Sequence, residues 1–170
     1  MNKVLHSSGV QRNDIHISFL VVGTAELREH ISDGLYKSAK EREWRIEIHK
    51  CESIVQILEN NISICIDFII FAFDSRMSIS LEQIKINIGL IDDHFIISGA
   101  CCLVHGNGVL DVMGFAFHNL KEIRNKYKIR FLSANTSDPN SCINLGNRIL
   151  NVTSTILGLE SRIPTLANIP

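Results

Sequence analysis

The sequence predicts one α/β domain built in three layers, with a mainly parallel sheet between two layers of helices. Strand-like and helix-like segments alternate along the chain, and the central strand-like runs are almost continuously apolar. A length of 170 residues suits one domain with a core on both faces of its sheet. We expect a flexible N-terminus at residues 1–14, the folded domain at 15–160 and a C-terminal tail at 161–170.

The first half of the domain shows this alternation in order. Residues 15–22 form an apolar run that stops at Gly23, as a buried strand does before a turn. Apolar residues then recur every four positions over about 25–40, which predicts an amphipathic helix. Residues 44–49 alternate between apolar and polar, the pattern of an edge strand. A short helix is predicted at 54–58, before a polar break.

The second half repeats the pattern with stronger apolar runs. Residues 66–73 are nearly all apolar, which is typical of a strand that is buried on both faces. The remaining elements follow from the same spacing rules. They are a helix over 79–91, a buried strand at 100–104, a helix over about 113–126, a short strand at 129–132 and a last helix over about 142–159.

Composition excludes several classes of function. The chain has 17 Lys and Arg against 18 Asp and Glu, so it lacks the basic excess of nucleic-acid-binding and membrane-surface proteins. No apolar stretch approaches the roughly 20 residues that a membrane span needs. The five cysteines and seven histidines show no metal-ligand spacing, and we predict neither a metal nor a cofactor. The basic stretch Lys121–Arg130 has the composition of a solvated helix end.

The end of the first strand carries the remains of a phosphate-binding motif. A P-loop has the pattern G-x-x-x-x-G-K-[ST], in which backbone N–H groups and the lysine hold the phosphates. The chain begins this pattern with Gly23, but Arg28, Glu29 and His30 stand at the second Gly, the Lys and the Ser/Thr. Each lost charged hydrogen bond costs roughly 1.5–3 kcal/mol. The motif therefore predicts a degenerate site without a bound nucleotide and without catalysis.

The other strand ends offer no replacement for the missing motif. Asp74 ends the third strand and suggests a phospho-acceptor of a receiver-like domain, but the acidic pair and lysine of that chemistry are absent. The guanine-binding motif Asn-Lys-x-Asp is also absent. Asn107 is followed by Gly108 instead of Lys, and Leu110 stands where the motif has Asp. Only Ser133 and its neighbour match the Ser-Ala-Lys loop of small GTPases, in two positions of three.

The order of these elements resembles a small GTPase whose nucleotide motifs have decayed, and the chain resembles the centromere protein M family in particular. The resemblance runs from about residue 15 to residue 164. It is closest at residues 19–24, 66–73, 94–106, and at the helix end 156–159 with Ile163-Pro164.

The resemblance implies a non-catalytic pseudo-GTPase that is a structural subunit of the inner kinetochore in the nucleus. It implies docking on a HEAT-like partner, centromere protein I, in a complex with centromere proteins H and K, and no direct contact with nucleic acid or membrane. Two alternatives remain open: a divergent nucleotide-binding regulator, and a pseudo-GTPase scaffold outside the centromere.

Two apolar segments are our candidates for partner contacts. One is Phe95, Ile96 and Ile97, after a polar turn, and the other is the tail with Ile163, Leu166 and Ile169. Buried apolar side chains dominate binding energy at protein interfaces. The alternative is that both segments fold back and complete the core.

Overall fold

The computed structural model describes residues 5–6, 15–74, 76–106 and 115–159. The strands are β1 (Leu5–His6), β2 (His16–Val22), β3 (Arg45–Cys51), β4 (Ile64–Cys65), β5 (Phe68–Phe73), β6 (Cys101–Gly106) and β7 (Arg130–Ala134). The helices are α1 (Ala25–Glu41), α2 (Ile54–Glu59), α3 (Ser78–Leu90), α4 (Asp93–Ile97), α5 (Phe115–Tyr127) and α6 (Pro139–Leu157).

Five strands form one parallel sheet in the order β3-β2-β5-β6-β7. The three central strands are the most apolar, and all residues of β5 and β6 are buried. β3 lies at an edge and is partly exposed, in agreement with its alternating sequence. The predicted α/β domain with a parallel sheet is confirmed, and it is consistent with a small-GTPase-like three-layer arrangement.

The connections place helices on both faces of the sheet. β2 leads through α1 to its neighbour on one side, whereas every later crossover runs toward the other side. Because such crossovers are right-handed, the crossover helices α2, α3 and α5 lie on the opposite face from α1. α1 packs against α6, while α3 contacts both α2 and α5. The direction reverses between β2 and β5, and ligands of doubly wound sheets bind at this point.

The α1–α6 contact is very close because two glycines meet where the helices cross. A Cβ atom on Gly34 would overlap the backbone carbonyl of Cys142, and one on Gly146 would lie 2.6 Å from the carbonyl oxygen of Gly34. The hydroxyl of Ser38 donates to the carbonyl of Ile143 at 2.8 Å. Backbone contact therefore fixes this helix pair.

The helices α6 and α4 differ from the sequence-based expectation. α6 begins at Pro139, earlier than predicted, because the Asp138 carboxylate accepts from the N–H groups of Asn140 and Ser141. α4 was not predicted at all. It is a short helix whose N-terminus is capped by Asp92, which accepts from the N–H of His94 at 2.9 Å.

The third predicted strand starts later than expected. The buried carboxylate of Asp67 accepts from the N–H of Ser18 at 2.9 Å, so a side chain interrupts the ladder before Phe68. Just upstream, β4 pairs with β1 in a separate two-stranded parallel sheet. Within the described part of the chain, no helix combines the length and apolar character that crossing a membrane requires.

Candidate functional site at the carboxyl edge of the sheet

The turn between β2 and α1 is the position that a P-loop would occupy. Only Gly23 and Thr24 separate the strand from the helix. The N–H of Gly23 donates to the carbonyl of Cys51 at 3.1 Å, which ties the turn to β3. A Cβ atom on Gly23 would lie 2.7 Å from the carbonyl oxygen of Ala72. Glycine is therefore needed here for close packing of the turn against β5.

The residues that align with the rest of the P-loop are helical. The N–H of Arg28 donates to the carbonyl of Thr24 at 3.0 Å, so the helix is already formed there. Arg28, Glu29 and His30 accordingly lie inside α1. A P-loop needs a stretch of free backbone N–H groups wrapped around the phosphates. In this chain the helix begins too early to leave such a stretch.

The glutamate at the position of the P-loop lysine is bound to a lysine of its own. Glu29 accepts from Lys50 of β3 at 2.8 and 2.9 Å. The hydrogen bond from Lys50 lowers the pKa of the Glu29 carboxyl, which therefore stays ionised. A carboxylate at this place repels phosphate, and the neighbouring cation is already paired with it.

Arg28 does not provide a substitute phosphate ligand. Its charge lies near the thiol of Cys51, yet burial raises the pKa of that thiol to about 11 and keeps it neutral. The Nε atom of Arg28 is buried and has no hydrogen-bond partner among the described residues. The same holds for Nδ1 of His30. These side chains are thus partly buried parts of the domain.

Asp74, which follows β5, is held by an arginine. Both of its carboxylate oxygens accept from the guanidinium of Arg76, at distances between 2.6 and 3.1 Å. The N–H of Arg76 also donates to the same carboxylate at 2.9 Å, which closes a tight local turn. This geometry is that of a residue that stabilises a turn. A phospho-acceptor would need its carboxylate to face a metal ion and a phosphate.

The end of β6 contains a fully buried histidine. Nδ1 of His105 lies 3.3 Å from the hydroxyl oxygen of Ser133 on β7, and its ring contacts the ring of Phe73 with 5.2 Å between centroids. Burial lowers the pKa of His105, although the charge of Asp74 opposes this shift. The imidazole is therefore neutral near pH 7. The candidate guanine-reading residues Asn107, Gly108 and Leu110 lie outside the described residues.

A cavity of about 250 Å³ lies at the point where the strand order reverses. Its walls come from the ends of β2 and β5 and from α2 and α3. The polar side chains that line it are mostly neutral, namely Thr24, Ser53, Gln56, Ser80, Gln83 and Asn87, with Glu52 as the one charged residue. Among the described residues no cation lines this cavity, so it lacks the charge that a triphosphate requires. No group of three or more potential metal ligands occurs in the described ranges.

The first candidate partner segment divides between core and surface. Phe95 is only 2% exposed and packs in the core below α4, and Ile96 is partly buried against that core. Ile97 is 84% exposed at the end of α4. Of these three residues, Ile97 alone presents its side chain fully to solvent.

The second candidate segment lies outside the described residues, which end at Leu159, so Ile163, Leu166 and Ile169 receive no structural account. The point where the chain leaves the described region is informative. Ile156, near the end of α6, lines the same surface depression as Ile96 of α4. The end of α6 and the short helix α4 therefore lie close together at this depression.

Other features were not found by sequence reasoning. Met77 and Ile86 expose apolar side chains beside α3, for which the sequence predicted a single apolar stripe. The signal was present, because α3 has apolar residues around its whole circumference instead of on one stripe. The neutral cavity had no sequence signal, since its lining residues come from separate elements.

Comparison with known proteins identifies a family for this chain. No curated protein sequence matches the chain. The sequence model of one family, described as Centromere protein M, matches residues 11–168 and thus nearly the whole chain. The chain therefore belongs to the centromere protein M family, which gives it a role at the centromere and kinetochore.

Proposed function

We propose that this protein is a non-catalytic pseudo-GTPase that serves as a structural subunit of the inner kinetochore. The observation that carries the proposal is the early start of α1, two residues after β2. It removes the loop that would wrap phosphates, and the Glu29–Lys50 ion pair occupies the place of the P-loop lysine. The neutral cavity beside this turn provides no replacement charge.

The proposed partner is a HEAT-like subunit, centromere protein I, within a complex that also contains centromere proteins H and K. Because the nucleotide site is degenerate, we expect the surface of the domain to serve contacts with other proteins. Ile97 supports a contact at α4. Its side chain is 84% exposed, and covering it with a partner would contribute favourably to the free energy of binding. The tail residues Ile163, Leu166 and Ile169 stay our second candidate contact.

Calorimetric titration of the purified full chain with Mg²⁺-GTP and with Mg²⁺-GDP tests the nucleotide part of the proposal. We expect no heat of binding with either nucleotide. A dissociation constant below about 10 μM, equivalent to roughly 7 kcal/mol, would contradict the pseudo-GTPase assignment.

Charge substitution at Ile97 tests the docking part. Ile97→Glu should weaken binding to the recombinant HEAT-like partner by more than about tenfold, because a central apolar contact is lost. Its thermal midpoint should stay unchanged, since Ile97 covers little of the core. Ile62→Glu between α2 and β4, which is 45% exposed, is the matched control and should bind normally. Equal binding by wild type and Ile97→Glu would remove α4 from the interface, and Leu166→Glu then tests the tail alone.

A further inference from the structure

The small net charge of the chain hides a strong local imbalance. Residues 121–130 contain five of the 17 Lys and Arg but only one of the 18 Asp and Glu. These ten residues carry a net charge of +4, and the rest of the chain carries a net charge of −5. The end of α5 and the start of β7 therefore form a basic region on an otherwise acidic molecule.

Part of this region lines a groove, which we call the basic groove. It has a volume of about 450 Å³ and is lined by Leu120, Lys121, Arg124, Asn125, Lys128 and Ile129. The three cations recur every three or four residues and lie along one side of α5. Leu120 and Ile129 are buried and give the groove an apolar floor. Cationic walls above an apolar floor suit a ligand that carries both negative charge and hydrocarbon.

The cations of the basic groove are not neutralised within the described part of the chain. Glu122 is the one acidic residue among residues 121–130. It is turned away from the groove and accepts a hydrogen bond from Lys85 of α3 at 2.9 Å. Arg124 lies over the ring of Phe131, 5.4 Å from its centroid, and this contact leaves its charge unpaired. Lys121 and Lys128 form no ion pair with any described residue. All three side chains are exposed.

Lys128 adds a second observation. It has φ of +54°, and its N–H donates to the carbonyl of Arg124 at 2.9 Å, so it ends α5 in the left-handed conformation. Glycine or asparagine usually takes this position, because a side chain is disfavoured there. The chain places a lysine at this disfavoured position, where its charge faces the basic groove. Glu43 and Asn61 adopt the same conformation after α1 and α2, and what distinguishes Lys128 is that its side chain lines the groove.

We propose that the basic groove is a second docking site, which binds an acidic peptide segment of another protein, with carboxylates on the cations and an apolar residue on the floor. This chain does not supply such a segment itself. Outside the described residues its carboxylates are Asp14, Asp111 and Glu160, each far from the others in sequence. Lys128 and Ile129 also line the depression that contains Ile96, so the basic groove adjoins the contact proposed at Ile97, and the two sites are tested through different side chains.

The shape favours a peptide over nucleic acid. Double-helical DNA presents its phosphates on convex ridges, and proteins bind it with surfaces that cover several phosphates at once. The basic groove is concave, and its three cations span about two turns of one helix, which is roughly 10 Å. A peptide fits a depression of this size, and its side chains reach the apolar floor.

Fluorescence polarisation with the full chain tests the proposal. The probe is a labelled peptide of about 12 residues that contains Asp, Glu and Leu. The control peptide has Asn and Gln in place of Asp and Glu. Binding of the acidic peptide should weaken as the salt concentration is raised. We expect the double variant Lys121→Gln, Arg124→Gln to bind the acidic probe at least tenfold more weakly. Lys37→Gln, Lys40→Gln on the exposed face of α1 removes the same charge and should change affinity by less than twofold. The thermal midpoints of both variants should match that of the wild type.

Three results would overturn the proposal. The first is equal binding of the acidic and neutral peptides, which would remove the role of charge. The second is an equal loss in the control variant, which would show that only net charge matters. The third is tighter binding of a DNA duplex that depends on Lys121 and Arg124, which would make the basic groove a nucleic-acid site. None of these results bears on Ile97, so the two docking proposals succeed or fail separately.

Discussion

The two faces of the sheet are built in different ways. On one face, α1 and α6 meet through Gly34 and Gly146, and backbone touches backbone at the crossing. On the other face, α3 and α5 are joined by the side chain of Lys85, which reaches Glu122 at 2.9 Å. The first face is closed by its main chain, whereas the second is bridged by a side chain that is itself partly exposed.

This difference explains where the molecule has surface available for binding. The α1–α6 face has little freedom, because neither helix can move without breaking contact along its length. The other face carries the neutral cavity, the exposed side chains of Met77 and Ile86, and the basic groove along α5. We infer that the closed face maintains the fold and that the open face and its edges serve recognition.

The largest expected effect comes from placing a methyl group in the closed face. Gly34→Ala puts a Cβ atom onto the backbone carbonyl of Cys142, which cannot move aside like a flexible side chain. Overpacking of this kind typically costs 1–3 kcal/mol, and we expect the upper end, about 3 kcal/mol. Thermal unfolding should show a midpoint lowered by roughly 6–12 °C for a domain of this size. An unchanged midpoint would mean that the helices separate easily and that the face is not closed.

The sequence predicted most of the fold because its signals are local. Continuous apolar runs identified the central strands, and alternation identified β3 as an edge strand. The crossing of α1 and α6 was beyond sequence reasoning, since Gly34 and Gly146 are far apart in the chain and neither has a local reason to be glycine. α4 was missed because five residues are too few to show a period.

The candidate site was predicted in part. The residue types at Arg28, Glu29 and His30 already indicated that the turn does not bind phosphate. The start of α1 at Ala25 was predicted from the sequence and is confirmed. The close packing of Gly23 against Ala72 of β5 required the structure. The pairing of Glu29 with Lys50 joins two separate elements and likewise requires the structure. The burial of Phe95 and the exposure of Ile97 depend on α4, which the sequence did not predict.

An intermediate effect is expected for the buried histidine beneath the open face. Burial lowers the pKa of His105, so the folded protein holds it neutral while the unfolded chain takes up a proton below about pH 6.5. Its contribution to stability is therefore complete above pH 6.5 and is lost as the pH falls below that value, by at most about 1.4 kcal/mol per pH unit. Denaturant unfolding between pH 8 and pH 5 measures the loss.

The matched variant for this measurement is His105→Gln, which keeps a polar group near Ser133 but does not titrate. Its stability should be lower than that of the wild type at pH 8, because contact with Phe73 is reduced. Between pH 6.5 and 5 it should lose less stability than the wild type does. Equal slopes for the two proteins would show that His105 takes up a proton in the folded protein as readily as in the unfolded chain.

The smallest expected effect repeats the glycine substitution on the open face and has the opposite sign. Gly89 lies exposed near the end of α3, and a Cβ atom there would meet nothing within 4 Å. Alanine favours the helix over glycine by at most about 1 kcal/mol, and less near a helix end, so Gly89→Ala should stabilise by about 0.5 kcal/mol. The thermal midpoint should rise by about 1–2 °C, while Gly34→Ala lowers it. Because both changes add one methyl group to a helical glycine, only the packing of the face separates them. A loss of stability in Gly89→Ala would mean that α3 is covered more tightly than its exposure indicates, and the contrast between the two faces would then fail.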